Sequence, residues 1–372
     1  MKILVDAREL RTTSGRYVER LLHYLQQLDH EHEYVVLLKP RDLPGWKTTN
    51  PNFTKLPCPS KEFTFSEQAQ LYRQIKNIAP DLVHFPLVQQ PILYRGPVVT
   101  TIQDLTTIRF RNPTKQWLAF TIKQQVYKMV NKYAARKSKA LITPTAFVKN
   151  DIAAYAHVPL EKITVTHEAA DPIPDSPARP NIPNHDLQKS KFIMYLGRPL
   201  PHKNLWRLIE AFALLRRTRP DLLLVLAGKK DAMYDLIEQR ARAAGLLDGV
   251  VFTGFVSEAE LKWLYLHCQA YIFPSLSEGF GLPGLEAMLH GAPVVSSNAT
   301  CLPEVHGNAA HYFNPLDVQD MAAKIGEVLD DPDLRQKLIA AGHKQAAKFS
   351  WKRMAEQTLA VYNKVLEQTK NA

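Results

Sequence analysis

The stretch Glu278-Gly-Phe-Gly-Leu-Pro-Gly-Leu-Glu286 decides how the rest of this 372-residue chain is read. It sets two carboxylates eight positions apart around a Gly-rich turn. Upstream, Ala270-Tyr-Ile-Phe273 reads as a short buried strand, and Pro283 suits the first turn of a helix, where its missing amide hydrogen is not needed. Gly291 stops that helix. Gly279 and Gly281 permit unusual backbone angles and close ligand approach, while the free amides around Leu282 to Leu285 face outward with the positive end of the helix dipole. Such an end binds anions, phosphate above all. Glu286, a turn inside, would repel a bare phosphate but can accept hydrogen bonds from a ribose diol. Glu278, before the turn, can reach sugar hydroxyls. These residues predict a site for a phosphate-bearing, polyhydroxylated ligand.

The same letters, Gly279-Phe-Gly281-Leu-Pro-Gly284, match the glycine fingerprint of dinucleotide-binding folds. Three features speak against that reading. The stretch Pro274 to Glu278 separates strand from first glycine, Pro283 sits inside the fingerprint, and the next strand, Val294-Val-Ser-Ser297, ends at Asn298 rather than at the acid a ribose needs. The plain alternative is a surface loop whose two glutamates are merely solvated.

The length predicts two domains, and 45% hydrophobic with 22% charged residues is a globular composition. No apolar run has membrane-spanning length, and Met1-Lys-Ile-Leu-Val-Asp6 meets an acid too early for a signal peptide, so a cytoplasmic location is expected. Cys58, Cys268 and Cys301 are too scattered for a disulfide framework or a zinc site. The net charge of +11 is uneven: residues 1–180 carry 25 basic and 16 acidic side chains, residues 181–372 carry 22 and 20. Leu105 to Asn150 has ten basic residues and no acid. Within it, Lys115 to Lys137 reads as a helix with Trp117, Phe120 and Tyr127 among lysines. That suits an anionic membrane surface at the inner face of the cell membrane, or else a solvated face with the aromatics turned to the core. No nucleic-acid module is present, so nucleic acid is not an expected partner.

Strands and helices alternate from the first residue, the pattern of parallel α/β layers. Strands are expected at Lys2–Asp6, Tyr34–Leu38, Leu82–Phe85, Val98–Ile102, Ala140–Thr143 and Ile163–Thr166, with helices at Tyr17–Leu28 and Phe147–Ala156. Five prolines between Pro172 and Pro183 mark a linker. A second series follows: strands Phe192–Leu196, Leu222–Ala227, Val250–Thr253, Ala270–Phe273 and Pro293–Ser297. Asn204 is placed to cap a helix whose apolar face is Leu205, Leu208, Ile209, Phe212 and Leu215, and Ser257 with Glu260 forms a capping box. A last helix runs near Trp351 to Gln368. The expected division is 1–171, a Pro-rich linker 172–190, a second domain 191–352, and a closing helix 353–372. Ligands of such folds sit beyond the carboxyl ends of the strands, in a cleft between domains. The loop Gly197-Arg198-Pro-Leu-Pro-His-Lys203-Asn204 brings two cations to such a strand end.

Taken in order, Gly197-Arg198, Lys203-Asn204, Val251-Phe-Thr-Gly254, Phe273-Pro-Ser-Leu-Ser-Glu278-Gly-Phe-Gly-Leu-Pro-Gly-Leu-Glu286, Gly291-Ala-Pro-Val-Val and Pro303-Glu304-Val resemble glycosyltransferase family 4, and bacterial mannosyltransferases within it. The first half matches more weakly, through Ser14-Gly15-Arg16-Tyr17 and Gln103-Asp104-Leu105.

The resemblance implies a GT-B fold: two facing Rossmann-like domains, the first binding acceptor and the second binding nucleotide sugar, with the final helix crossing back to the first. It also implies retaining transfer of a hexose, mannose from GDP-mannose, to a glycan or lipid-linked acceptor without a required metal or cofactor. UDP-sugars remain an alternative donor, and an epimerase or a phosphorylase an alternative activity. By motif, Arg198 and Lys203 would bind the diphosphate and Glu286 the ribose. Glu278, Gly279 and the Phe280–Gly281–Leu282 backbone would hold donor sugar and phosphate. Gly254 would lie near the base, and Gly15 would let its loop approach the diphosphate. Gln103-Asp104 stands where the family commonly has His-Asp; Gln can hydrogen-bond a sugar hydroxyl but does not titrate near neutrality. His84 and His167 are candidates for the missing imidazole.

Overall fold

A computed structural model of the chain describes residues 1–11, 15–60, 64–111, 117–183 and 185–371, with the backbone alone at 65, 66, 118 and 119. Ser14 and Lys115, both named above, lie outside the described residues. By its contacts the chain divides into two compact units: residues 1–108, 121–168 and 350–372, and residues 109–120 with 169–349.

Among the described residues the first unit is built on seven strands: β1 (Lys2–Asp6), β2 (Glu33–Leu38), β3 (Phe53–Pro57), β4 (Leu82–Phe85), β5 (Val98–Thr101), β6 (Ala140–Thr143) and β7 (Ile163–Val165). They pair in parallel in the order β3-β2-β1-β4-β5-β6-β7. The second unit has β8 (Phe192–Leu196), β9 (Leu223–Ala227), β10 (Val250–Gly254), β11 (Ala270–Phe273), β12 (Val294–Ser297) and β13 (Ala310–Phe313), also parallel, in the order β10-β9-β8-β11-β12-β13. Each sheet is doubly wound, so its order reverses once: between β1 and β4, and between β8 and β11. Two parallel Rossmann-like sheets are the architecture expected from the sequence.

Strand β8 shows why its apolar run is unbroken. Ile193 and Tyr195 face one core cluster with Leu208, Phe212, Leu224 and Leu226, whereas Phe192 and Met194 face another with Val225, Tyr271, Leu285 and Met288. A parallel strand covered on both faces needs apolar residues at every position. The edges differ: β3 buries one of its five residues fully and β13 only its two ends. Neither was expected from the sequence, because polar residues interrupt the apolar run in both.

Asn204 does not cap its helix. Its backbone is left-handed (φ 61°) and its buried side chain donates to the carbonyls of Pro274, at 3.0 Å, and Pro315, at 2.8 Å, tying together the loops after β11 and β13. Ser257 and Glu260 do form a capping box. The Pro-rich segment has no helix or strand between Pro172 and Pro183 and docks on the second unit. Lys262 donates to the carbonyls of Ile173 and Asp175, and the Ile173 amide donates to His290 Nε2 at 3.0 Å.

The final helix, Trp351–Lys370, returns to the first unit. Tyr362 Oη lies 2.5 Å from His84 Nδ1, and His84 Nε2 lies 2.9 Å from Thr101 Oγ1. His84 is wholly buried, and burial lowers its pKa to about 3. It is a neutral brace between β4, β5 and the last helix and not a substitute for the family's imidazole. Among the described residues no helix is long and apolar enough to cross a membrane.

Candidate active site

In the second unit, the loops leaving β8 and β11 flank the point where strand order reverses. They are zipped by the Leu276 amide, which donates to the His202 carbonyl at 2.7 Å. Their side chains meet as well: Lys203 Nζ is 2.7 Å from Glu278 Oε1, with side-chain exposures of 20% and 11%. The Glu278 backbone is held by two neighbours. Its amide donates to Thr300 Oγ1 at 3.2 Å, and Cys301 Sγ donates to its carbonyl at 3.2 Å. His202, beside this pair, has its pKa lowered to about 4 by burial and then by the Lys203 charge, against the pull of Glu278. It is neutral in the folded protein.

The helix Leu282–Leu289 starts at Gly281, which takes the left-handed conformation at φ 95° that only glycine adopts without strain, and Pro283 fills its first turn. Gly284 is required for another reason. A Cβ there would fall 2.4 Å from His306 Nε2 and 2.8 Å from Phe273 Cδ1, so the helix can lie close to its neighbours only with a bare backbone. The Phe280 ring is core, packed edge-on against Phe349, so its side chain does not face a ligand. Glu286 is half-buried one turn inside the helix.

Arg198 meets a different carboxylate. Its guanidinium contacts Asp231 Oδ2 at 2.9 and 3.2 Å, while Asp231 Oδ1 caps the helix Ala232–Ala243 by accepting from the Met233 and Tyr234 amides. Tyr234 Oη donates to the Gly197 carbonyl and Tyr195 Oη to that of Arg198. The Gly228 amide donates to the Gly254 carbonyl, joining the ends of β9 and β10. The space where a Gly254 side chain would be is open. The second unit therefore gathers Arg198, Lys203, Gly254, Glu278, Gly279–Leu282 and Glu286 along the carboxyl ends of β10, β9, β8 and β11. Asp231 was not read from the sequence; an Asp directly before the helical run at Ala232 was its available signal.

In the first unit, Gly15 opens the helix Gly15–Leu28, where a Cβ would fall 2.0 Å from the Leu10 carbonyl oxygen. Gln103 and Asp104 follow β5, and Asp104 accepts from the Thr106 amide at 2.7 Å. Gln103 hydrogen-bonds Glu168, a carboxyl 6% exposed just beyond β7. Burial raises the Glu168 pKa to about 7, opposed by the Arg16 charge and the Gln103 hydrogen bond and reinforced by Asp104. Glu168 was also missed from sequence, since a single acid after a strand carries no motif. Among the described residues no three His, Cys, Asp or Glu side chains converge in a way that could hold a metal ion.

Two doubly wound parallel units, the second with an acid–base pair and a helix amino terminus at its switch point, define a GT-B protein. Residues 179–345 match the family model described as glycosyl transferases group 1, and residues 14–173 match that of glycosyltransferase family 4. The chain belongs to glycosyltransferase family 4. It is 35% identical to the O-antigen chain mannosyltransferase B of Escherichia coli over 60% of each chain. It is 39% identical to the E. coli serotype-specific mannosyltransferase WbdA over 48% of this chain and 22% of that one, so the matches span well under the full length of these relatives. Glycogen synthase of Mycobacterium tuberculosis is 32% identical over 76% of this chain and 68% of that one. In fold the chain is similar to sucrose-phosphate synthase from Thermosynechococcus elongatus, with a TM-score of 0.79, 17% identity and coverage of 99% and 100%. It is also similar to Anabaena HepE in complex with UDP-glucose, with a TM-score of 0.73, 16% identity and coverage of 98% and 100%.

Proposed function

We propose that this protein transfers a hexose, mannose from GDP-mannose, to a glycan or lipid-linked acceptor, with retention at the anomeric carbon. The observation that carries the reading is the Lys203–Glu278 pair at the β8/β11 switch point, beside the amino terminus of Leu282–Leu289. Breaking the bond between the anomeric carbon and the phosphate oxygen leaves negative charge on the diphosphate. Lys203, Arg198 and the amides at Gly281 to Leu282 oppose that charge more strongly in the transition state than in the ground state, the condition for catalysis. The acceptor hydroxyl adds to the same face of the sugar, and its proton passes to the departing phosphate oxygen. Glu278 orients sugar hydroxyls and is not a nucleophile. Glu286 accepts from the ribose diol, and Gln103 contacts the donor sugar.

The mannose assignment is supported by the two E. coli relatives named as mannosyltransferases. A UDP-sugar is the second reading, supported by the likeness to a protein whose structure holds UDP-glucose. Peripheral contact with an anionic membrane belongs to the same proposal, because a lipid-linked acceptor presents its sugar there. Turnover of a panel of nucleotide sugars by the folded protein is the test. Transfer or slow hydrolysis of GDP-mannose ahead of UDP-sugars is expected. No turnover of any donor sinks the reading, release of an altered free nucleotide sugar makes the protein an epimerase, and dependence on inorganic phosphate makes it a phosphorylase.

A further inference from the structure

The helix Trp117–Lys137 is packed inside out. Toward the first unit it buries Asn131, Ala134 and Ala135. Outward it shows Ile122, Val126, Met129 and Tyr133, exposed by 58%, 52%, 70% and 40%. Their spacing of four, three and four residues confines them to an arc of about 60° at roughly 100° per residue. A globular helix normally turns such a stripe to the core and its small or polar residues to water. The stripe is extended by a neighbouring loop. Tyr133 Oη donates to the Ile92 carbonyl at 2.6 Å and Lys137 Nζ to that of Pro91 at 3.1 Å, which sets the exposed Ile92 and Leu93 beside Tyr133.

The rim of this surface is basic. By helical position Lys123 and Lys137 flank one edge of the stripe, and Lys132 and Arg136 the other. No acid occurs anywhere from residue 105 to residue 150. A second copy would bring the same positive charge against it, and a nucleic-acid backbone offers nothing apolar to meet the stripe. An anionic lipid surface supplies both complements at once: acyl chains and glycerol backbones for the apolar arc, headgroup charge for the rim.

We infer that the stripe Ile122, Val126, Met129 and Tyr133, with Ile92 and Leu93, is the surface on which the protein docks to an anionic bilayer. This deepens the proposed peripheral membrane contact by naming the face that makes it. Of the expected aromatics, Phe120 and Tyr127 are half-buried and sit on the other side of the helix, while Trp117 is exposed outside this stripe. Tyr133 adds an amphipathic ring of the kind that settles at a membrane interface.

The test is co-flotation of the full chain with vesicles of equal parts phosphatidylcholine and phosphatidylglycerol, with phosphatidylcholine vesicles alone, and at low and high salt. Binding to the anionic vesicles only, weakening as salt rises, is expected. The double substitution Val126→Ser with Met129→Ser, and separately Lys123→Glu with Lys132→Glu, each weaken partition by about tenfold or more. Both leave turnover of soluble donor unchanged, because none of these side chains belongs to the donor site. That separates failure of docking from failure of the donor reading. Circular dichroism checks the fold, and Met129→Gln serves if the double serine variant does not fold. Absence of co-flotation at low salt overturns the inference, as does equal binding by the serine variant. So does a wild-type dimer that the serine variant returns to monomer, which would make a second copy the occupant.

Discussion

Lys203 Nζ and Glu278 Oε1 stand 2.7 Å apart across the two loops that leave the central strands of the second unit. The pair is largely shielded from water, so each charge depends on the other. In the proposed reaction, an incoming diphosphate would compete with Glu278 for the ammonium and free the carboxylate for sugar hydroxyls.

Lys203→Met therefore carries two separable effects. The half-buried Glu278 left behind costs about 1–3 kcal/mol of stability, and kcat/KM falls about 10²- to 10³-fold. In the double variant Lys203→Met with Glu278→Gln, the stability returns and the activity does not. Urea unfolding and steady-state kinetics on the three variants measure both, and recovery of activity along with stability would show the pair to be structural only.

Arg198 separates differently, because its partner Asp231 lies in a more open place: the Arg198 side chain is 55% exposed. Arg198→Ala leaves the melting temperature nearly unchanged, since an exposed ion pair contributes about 0–1 kcal/mol. It lowers kcat/KM by about 10²- to 10³-fold. Wild-type kinetics in this variant remove Arg198 from the site.

The two site glycines are required for opposite reasons, and alanine tells them apart. Gly284→Ala drives a methyl into the His306 ring and costs about 1–3 kcal/mol or more. Gly254→Ala meets open space but must hold φ 71°, a strain of about 1–2 kcal/mol. Thermal melts should show the larger loss at Gly284. Equal losses would mean that the helix Leu282–Leu289 can move away from His306.

Glu168 gives the protein a distinct pH dependence. Its folded pKa of about 7 lies above the ordinary 4.5, so the folded state holds a proton the unfolded chain has lost. The contribution is complete below pH 4.5, declines as pH rises from 4.5 to 7, and is absent above, a change of about 3 kcal/mol. His84, His202 and His306 have lowered pKa values and act in the reverse sense over the acid side of that window. The measurable quantity is thus the difference between wild type and Glu168→Gln. Urea unfolding at pH 5 and pH 8 should show the variant gaining on wild type at the higher pH; a pH-independent difference contradicts the assignment.

Tyr362→Phe removes the hydroxyl facing His84 Nδ1 and leaves a buried ring nitrogen without its partner. The expected cost is about 1–3 kcal/mol. Hydrogen exchange should rise in Trp351–Lys370 before it rises in β8 to β13; a uniform rise would mean that the helix is not held through this contact.

The parallel α/β class, the strand runs of the second unit, the Ser257 capping box and the glycine turn at residues 279–284 were legible in the sequence. Each depends on neighbours in the chain: an apolar run, a cap three residues from its partner, a Pro in a first turn. The edge strands β3 and β13 were not legible, because exposure on one side dilutes the apolar signal. Nor was the fate of His84, whose partner Tyr362 lies 278 residues away. The same holds for Asn204, which looks like a cap by position yet spends its amide on two distant carbonyls.

By itself the sequence determined the fold class and which loops of the second unit carry the cations and carboxylates, since both are written in local periodicity and motif order. Only the tertiary structure decided the pairings, Lys203 with Glu278, Arg198 with Asp231, Gln103 with Glu168, and which face of Trp117–Lys137 meets solvent. Those depend on which strand ends the sheet order makes neighbours and on what else covers a helix. Neither is encoded within one segment of chain.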